Sequence, residues 1–366
     1  MIFQSVPVDL ELAIPGNWTL LMILLVVSFL MHIVFANLTI AGAFYAVWNE
    51  IRGMVKNNPV YDQLASQSAT MTSIFKSIAV VLGVAPLLLV SVLYTQYIYP
   101  ATIFIGEAWL NLLWILIVAF LLLYLYKFSW NRLKNKGLHL TIGLIGTMML
   151  LIVPLIFIVA VVSMLYPDKW AGAEGFFHSL FYYPQIWQRY FHFILASFAV
   201  TGLVMYFWNK RKLTQRTKLH AVDGKDEVAA TTENVKEDVK VYEAGKSFGM
   251  QAAFWTTALQ LVIGPLVLFS LDREVRLLYL GDDVFLTSLL SISTLLSVVL
   301  IGMLFMLMKT EAKKWLLSSL TTLVLVIGLM GWMRHEVRES YIDPHRAENP
   351  PTIEQQPIQI GDMMIE

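Results

Sequence analysis

The sequence predicts an all-α integral membrane protein, a bundle of about eight transmembrane helices inserted in a cell membrane. Of its 366 residues, 57% are hydrophobic and 14% are charged, whereas a soluble domain carries about 25% charged residues. The apolar residues fall into runs long enough to cross a bilayer, and Lys and Arg are concentrated in every second connection between those runs. Composition, run length and charge placement therefore agree on a multi-pass membrane protein.

Eight apolar runs are predicted to span the membrane, because a helix needs roughly 20 apolar residues to cross the hydrocarbon core. The first run is longer than the membrane is thick, which predicts a helix that tilts or emerges at one end. The sixth run is the most polar, since it holds Gln251 and Gln260. In chain order the predicted spans are 18–48, 73–99, 104–127, 139–165, 184–208, 247–271, 284–308 and 315–334.

Basic residues predict the orientation of the bundle, because cytoplasmic connections of membrane proteins are enriched in Lys and Arg. An even number of spans puts both termini on one side, and the charges predict that this is the outer side of an inner, cytoplasmic membrane. One missed helix would destroy the alternation, so the alternation also supports the helix count. The basic inner connections contain Arg52 and Lys56, Arg132, Lys134 and Lys136, Lys210, Arg211 and Lys212, and Lys313 and Lys314.

Two polar segments flank or interrupt the predicted spans. Residues 209–246 are rich in charge and predict a flexible cytoplasmic loop. Residues 339–366 contain Pro350 and Pro351 and predict an extended outer arm that lies on a partner. The expected organisation is therefore a transmembrane, haem-binding bundle over 1–338 followed by that tail.

The sequence contains no cysteine and has a formal net charge of zero. Without thiolates, an iron–sulfur cluster, a Cys-ligated zinc and a covalently attached c-type haem are excluded. Any metal ion must be held by His, Met, Asp or Glu. The balanced charge also gives no basis for binding nucleic acid.

Two histidines lie inside apolar runs, where an ionisable side chain is costly and indicates function. His32 is in the first span, and His192 is about two turns below the outer end of the fifth. A neutral imidazole in lipid needs a partner, which is either a haem iron or a hydrogen bond to a neighbouring helix. Arg189, one turn outward from His192 on the same face, suits a haem propionate, and it equally suits an interfacial aromatic belt.

Two carboxylates near the outer ends of helices are candidate catalytic or metal-binding groups. An unpaired Glu107 would be protonated, carry protons or bind a metal, and the alternative is an interfacial residue in contact with water. Glu336 follows His335 and lies between Arg334 and Arg338. A cluster of snorkelling surface residues produces the same pattern.

The order of these motifs resembles subunit I of the cytochrome bd oxygen reductase superfamily. The helix around His32 resembles the family helix whose histidine is an axial ligand at the active-site haems, and Gly83-Val84-Ala85 resembles its small-residue motif. Glu107 resembles one of two family glutamates near the high-spin haems. The resemblance therefore implies that His32 and Glu107 belong to the site of oxygen reduction.

Two later segments extend the resemblance. The segment that ends at His192, with Arg189, is similar to the one carrying the low-spin haem histidine and its basic neighbour. The segment from Gly331 through Trp332 to Glu336 resembles the one whose glutamate ligates a high-spin haem. The resemblance implies Glu336 as a further iron ligand and catalytic residue, and we count Trp332 and Arg338 among the haem-binding candidates.

The sequence departs from the family in two places that concern function. The link between the sixth and seventh spans, Asp272 to Asp283, is too short for the family's quinol-oxidising loop. Residues 285–299 hold no methionine, although the family's low-spin haem takes its sixth ligand there. That ligand stays open, with His178, Met333 and His335 as candidates.

The resemblance implies one to three non-covalent haems near the outer face, of b type with a d-type haem possible. It implies a subunit of a terminal oxidase that works with a second membrane subunit and passes electrons from an external donor, such as a cytochrome c, to O2. Two other functions stay open. One is a haem b electron-transfer subunit without oxygen chemistry, and the other is a haem-free structural paralogue of the catalytic subunit.

Overall fold

The computed structural model of the protein describes residues 6–7, 16–222 and 229–348, and the predicted helical bundle is confirmed. Eight helices are long and apolar enough to cross a membrane. The α-helices are α1 (Trp18–Lys56), α2 (Pro59–Leu93), α3 (Thr95–Phe104), α4 (Gly106–Phe128), α5 (Lys136–Ser163), α6 (Gly175–Tyr182), α7 (Ile186–Val222), α8 (Ala229–Phe269), α9 (Arg273–Leu277), α10 (Val284–Thr310) and α11 (Lys313–Glu348).

The long helices pair as four antiparallel hairpins, α1 with α2, α4 with α5, α7 with α8, and α10 with α11. Helix α1 lies at the centre, because it also packs against α5, α7 and α11. We call the end of the bundle where α1 begins the outer end. The short helices α3, α6 and α9 lie there, between the ends of the long ones.

Polar residues determine where several helices begin and end. The side chain of Asn17 accepts a hydrogen bond from the Leu20 amide at the start of α1, and Asn135 and Asp283 cap α5 and α10 in the same way. Such caps satisfy amides that have no partner within the helix. Asn57 ends α1 in the left-handed conformation with φ 47°, which allows α2 to start two residues later.

The predicted second span is wrong at its outer end. Helix α2 ends at Leu93 rather than continuing through residue 99, and Tyr94 takes a non-helical conformation with φ −129° and ψ 36°. The chain then forms the separate short helix α3, which carries Pro100. The sequence did not indicate this break clearly, because residues 94–99 contain no glycine or proline to mark the end of a helix.

The prediction of a flexible loop over 209–246 is wrong for the residues that the structure describes there. Helix α7 continues to Val222 and α8 begins at Ala229. The two extensions pair in an ion pair of 2.8 Å between Arg216 and Asp238, and the buried Val241 packs in a cluster with Leu64 of α2. Their polar composition reflects helix faces that lie outside the lipid, rather than an absence of structure.

The extended arm predicted to begin at residue 339 is also wrong for its first ten residues. Helix α11 continues to Glu348, and Val337, Tyr341 and Ile342 are buried in the largest hydrophobic cluster of the protein. The helix persists because this apolar stripe packs against the outer end of the bundle. The remainder of the predicted arm, 349–366, lies outside the described residues.

Candidate haem-binding site

The imidazole of His32 is held in one orientation between α1 and α2. Its Nδ1 lies 2.8 Å from the carbonyl oxygen of Ala79, to which an Nδ1–H donates. Gly83, one turn further along α2, faces the ring so closely that an added Cβ would lie 2.9 Å from Cε1 of His32. A histidine whose Nδ1–H is bound to a carbonyl presents the lone pair of Nε2, which is the arrangement found at metal-ligating histidines.

His192 lies on α7 with a polar atom that has no partner. Its Nδ1 is buried and has no hydrogen bond within the described residues. Gln260 of α8 donates to the backbone carbonyl of His192 at 3.4 Å and leaves the ring unsatisfied. An orphaned buried nitrogen calls for an explanation, and a bound group is one.

Arg189 is positioned by a hydrogen-bond network at the outer end. Its Nε donates to the side-chain oxygen of Gln185 at 2.9 Å, while the amide nitrogen of Gln185 donates to the hydroxyls of Tyr341 (2.9 Å) and Tyr166. The Tyr341 hydroxyl also accepts from the Asp272 amide at 2.9 Å. Burial raises the pKa of Tyr166, so its hydroxyl stays protonated.

Arg334 and Arg338 join Arg189 at this end of the bundle. The guanidinium carbon of Arg334 lies 4.0 Å from the ring centroid of Phe29, and the other two arginines are near enough to act on it as like charges. Among the described residues, neither Arg334 nor Arg189 pairs with a carboxylate. Two partly buried guanidinium groups without counter-ions form a site for an anion, and a haem propionate is an anion that fits it.

Glu339, rather than Glu336, is the carboxylate that neutralises the third arginine. Its Oε1 lies 3.4 Å from Nε of Arg338, and its Oε2 lies 2.9 Å from Nη1 of Arg346. The hydroxyl of Tyr94 also donates to Glu339. Burial raises the pKa of Tyr94, which keeps that proton on the phenol. Glu339 is therefore the centre of a buried ionic network, which the sequence did not indicate.

A small cleft between α1 and α11 opens beside these groups. It is lined by Leu25, Val26, Phe29, Gly331, Arg334, His335 and Arg338. Immediately below the cleft the helices close together, because a Cβ on Gly331 would lie 2.4 Å from Cδ2 of Leu30. The cleft therefore lies beside the outer arginines and ends at Phe29, one turn before His32 on the same face of α1.

The remaining predicted residues are less centrally placed. Glu336 is partly buried and lies one turn from Trp332, which is itself 37% exposed. Glu107 is exposed on the first turn of α4, a helix that packs mainly on α5 and α2 rather than on α1 or α11. Among the described residues, no hydrogen bond or ion pair links Glu107, His32 and Glu336 to one another.

The three candidates for a sixth ligand have other contacts. The exposed His178 accepts a hydrogen bond at Nδ1 from the Glu174 amide and stacks on Tyr182. His335 interacts through Nδ1 with Arg338 at 2.7 Å, and Met333 packs on the outer hydrophobic cluster. None of these contacts selects one of the three residues as the ligand.

Two buried polar groups at the inner half were not predicted as functional. Glu50 is fully buried and accepts from the Tyr126 hydroxyl at 2.6 Å and from Nδ1 of His139 at 2.6 Å. Lys76 of α2 is also fully buried. The sequence did contain a signal for Lys76, because it lies within the predicted second span, where a lysine is costly. We did not count it among the candidate residues.

No cluster of three or more His, Asp and Glu side chains is arranged to hold a metal ion in the described parts of the chain. A haem iron differs from such an ion, since the porphyrin supplies four ligands and the protein supplies one or two. His32 and His192 fit that requirement, because each leaves one ring nitrogen without a hydrogen bond to any described residue. Gly83 leaves space beside the ring of His32, and Arg189 beside His192 has no carboxylate partner among the described residues. The fold and the site together define a multi-pass membrane protein with a cluster of arginines and tyrosines at the outer end of the bundle.

Comparison with known proteins agrees with this class. The family model for cytochrome bd terminal oxidase subunit I matches residues 22–267. The chain belongs to this family and is a bd-like oxidase subunit. The bd oxidase from Geobacillus thermodenitrificans has a similar structure, with a TM-score of 0.68, 14% sequence identity and coverage of 88% of each chain. A comparison with curated proteins gave no match.

Proposed function

We propose that this chain is the haem-carrying membrane subunit of a bd-like terminal oxidase that takes electrons from a cytochrome c-type donor and reduces O2. The observation that carries the proposal is the buried, unpartnered Nδ1 of His192 together with the unpaired arginines Arg189 and Arg334. Without a bound anionic group these nitrogens and charges are costly in a membrane. A haem satisfies them together, since its iron takes a histidine and its propionates take arginines.

The chain's own residues divide the work of binding. His32 offers Nε2 to an iron because Ala79 holds its other nitrogen, and Gly83 leaves room beside the ring. His192 is the corresponding residue for a second, low-spin haem, with Arg189 as the partner of a propionate. Glu336, one turn from Trp332, is the candidate for a second ligand near His32. When bound, haem supplies the iron through which electrons reach O2.

Charge at the outer end supports a basic, soluble electron donor. Arg189, Arg334, Arg338 and Arg346 are buried or partly buried at this end, whereas the acidic side chains described there are exposed apart from Asp283, Glu336 and Glu339. A basic protein such as a cytochrome c would be steered to such a rim. The exposed outer carboxylates are Glu107, Asp168, Glu174, Asp272, Glu274, Asp282 and Asp343.

The setting of the subunit follows from its family and surface. We propose that it lies in the inner, cytoplasmic membrane with both termini outside, and that it works with a second membrane subunit. Protons for water formation then come from the basic inner side. The short link between α8 and α10 contains only α9 and one turn of π-helix, which leaves little apolar wall for a quinone ring.

A reduced-minus-oxidised absorption spectrum with haem extraction tests the proposal most directly. We expect b-type haem bands in the purified protein, one component of which shifts when CO is added. Haem bands that do not change when CO is added would favour a haem b electron-transfer subunit without oxygen chemistry. That function is compatible with the exposure of Glu107. A protein without extractable haem would contradict both and favour the structural paralogue.

The second haem site has its own test in His192. We expect His192→Ala to remove the low-spin component completely while the CO-binding component persists, because the two histidines lie on different helices. Arg189→Gln should keep that haem and lower its midpoint potential, since a cation near a propionate favours the reduced form. Redox titration of the spectrum measures both effects. If His192→Ala keeps the full low-spin spectrum, the assignment is wrong.

The donor is tested by salt. We expect cytochrome c oxidation by the purified complex to slow roughly tenfold or more between low and high ionic strength, because added salt screens the acidic rim. Oxidation of short-chain quinols should be slow at every salt concentration. Rapid quinol oxidation together with indifference to cytochrome c would contradict this donor. Asp282→Lys with Asp272→Lys should weaken the response to salt, and Lys309→Met at the inner end of α10 is the control.

A further inference from the structure

Lys76 is a lysine without a counter-ion in the interior of the bundle. It lies on α2 with 0% of its surface exposed. Its Nζ donates to the backbone carbonyl of Phe120 at 3.0 Å and lies 3.1 Å from the ring centroid of Tyr124, both on α4. The charge that acts on it from α4 is Lys127, a like charge. No carboxylate pairs with it in the described parts of the chain.

A purely structural role explains Lys76 poorly. Burying a cation that has only one carbonyl and two ring faces as partners is costly, and an apolar residue of similar volume commonly serves stability better. The other buried ionisable cluster of the inner half differs in this respect. Glu50 is satisfied by Tyr126 and His139, which ties α1, α4 and α5 together. Lys76 contacts α4 but has no ionisable partner there of opposite charge, so its presence indicates function.

The position of Lys76 connects it to the proposed haem site. Ala79, whose carbonyl accepts from His32, follows Lys76 by three residues on the same face of α2. That spacing is about 4.5 Å along the helix axis. Lys76 therefore lies on the inner side of His32, about one turn away, between it and the basic end of the bundle.

Buried hydroxyl groups continue this face towards the inner end. Thr72 and Ser68 precede Lys76 by four and eight residues and are 2% and 8% exposed. Ser73 lies beside them and is 6% exposed. Each hydroxyl donates to a backbone carbonyl of its own helix and keeps lone pairs free to accept. The inner half of α2 thus carries a stripe of buried hydroxyl groups, of which Thr72 lies against Gly42 of α1.

We propose that Lys76 is a proton relay that delivers protons from the inner side of the membrane to the site at His32. This inference rests on the proposed oxidase function. Reduction of one O2 to two H2O consumes four electrons from the donor and four protons. In each transfer the Lys76 ammonium gives up one proton toward the site and becomes a neutral amine, and it then regains a proton along the stripe that contains Thr72 and Ser68.

Two substitutions separate a relay from a fixed charge. Lys76→Met removes both charge and proton, whereas Lys76→Arg keeps the charge and a donor for the Phe120 carbonyl but does not release its proton. We expect both variants to lower O2 consumption roughly tenfold or more, as loss of a proton-transfer group does. Lys309→Met, an exposed lysine at the inner end of α10, is the matched control and should keep full turnover.

Measurements other than turnover exclude a structural cause. In both variants we expect wild-type haem content, wild-type CO binding and an unchanged rate of haem reduction by the donor. The thermal midpoint of Lys76→Met should equal or exceed that of the wild type, because a buried cation has been removed. Proton uptake from the inner side of proteoliposomes, followed with a pH-sensitive dye after a pulse of O2, should be slowed to the same degree as turnover.

Each other outcome overturns the relay. Full turnover in Lys76→Met would assign Lys76 no role. Recovery of turnover in Lys76→Arg would assign it an electrostatic role, and a lowered thermal midpoint with lost haem would assign it a structural role. The wild-type spectrum and O2 consumption are measured first, so that failure of the oxidase function is recognised separately. A wild-type protein that binds haem and consumes O2 while Lys76→Met does the same overturns the relay alone.

Discussion

His32→Ala is expected to abolish the CO-binding haem component and O2 consumption while the protein still inserts and folds. The imidazole is oriented by the Ala79 carbonyl at 2.8 Å, and its other ring nitrogen is the one available to an iron. Alanine offers no ligand, so the loss should be complete. Inserted protein should remain, because α1 keeps the apolar length needed to span and its contacts with α2, α5 and α7.

A gentler variant separates ligand loss from misfolding. Gly83→Ala leaves His32 itself in place but adds a methyl group 2.9 Å from its Cε1, so the ring must shift. We expect the CO-binding spectrum to broaden or shift while the low-spin component at His192 stays unchanged. His345→Ala, at the outer end of α11, serves as the control. Unchanged haem content and CO binding in His32→Ala would refute the assignment of this site.

Glu339→Ala is expected to be the most destabilising single substitution at the outer end. The carboxylate is 15% exposed and pairs with Arg338 and Arg346, and it also accepts from the Tyr94 hydroxyl. Its removal leaves two guanidinium groups and a phenol without their partner. Breaking a buried ion pair from one side costs about 3–5 kcal/mol, and we expect a loss in the free energy of unfolding of that order.

Thermal or denaturant unfolding in detergent measures this effect. Asp343→Asn is the matched control, since Asp343 pairs with the same Arg346 but its side chain is 61% exposed. Exposed ion pairs contribute about 0–1 kcal/mol, so the control should unfold almost as the wild type does. Equal midpoints for Glu339→Ala and the wild type would show that the network around Tyr94 carries no stability.

Several residues of the proposed site were within reach of the sequence. His32, His192 and Arg189 were predicted as candidates because an ionisable side chain in an apolar run stands out against its neighbours. Glu339 was missed because it follows a charged segment and looks like one more surface acid. Its importance arises from Tyr94, which is 245 positions away in the chain and reaches it only because the link between α2 and α3 lies beside α11 in the folded bundle.

Lys76 also shows that the sequence alone does not reveal which helix a side chain contacts. The sequence placed it inside a predicted span, but its neighbours there did not reveal whether it faced lipid, water or another helix. Packing of α2 on α4 set its nitrogen against the Phe120 carbonyl and the Tyr124 ring. The helical extensions of α7 and α8 were missed for a related reason, because polarity indicates contact with water and does not indicate whether the backbone is ordered.

The sequence by itself determined that the chain has eight helices fit to cross a membrane, that it offers no thiolate, and which histidines lie within the apolar runs. These features are local, because a run of apolar residues must satisfy its own backbone as a helix once water is absent. Tertiary structure alone decided that α1 is central, that the side chain of Glu107 is exposed and that Glu339 neutralises Arg338. Those features depend on which helix faces meet, and hydropathy does not encode that choice.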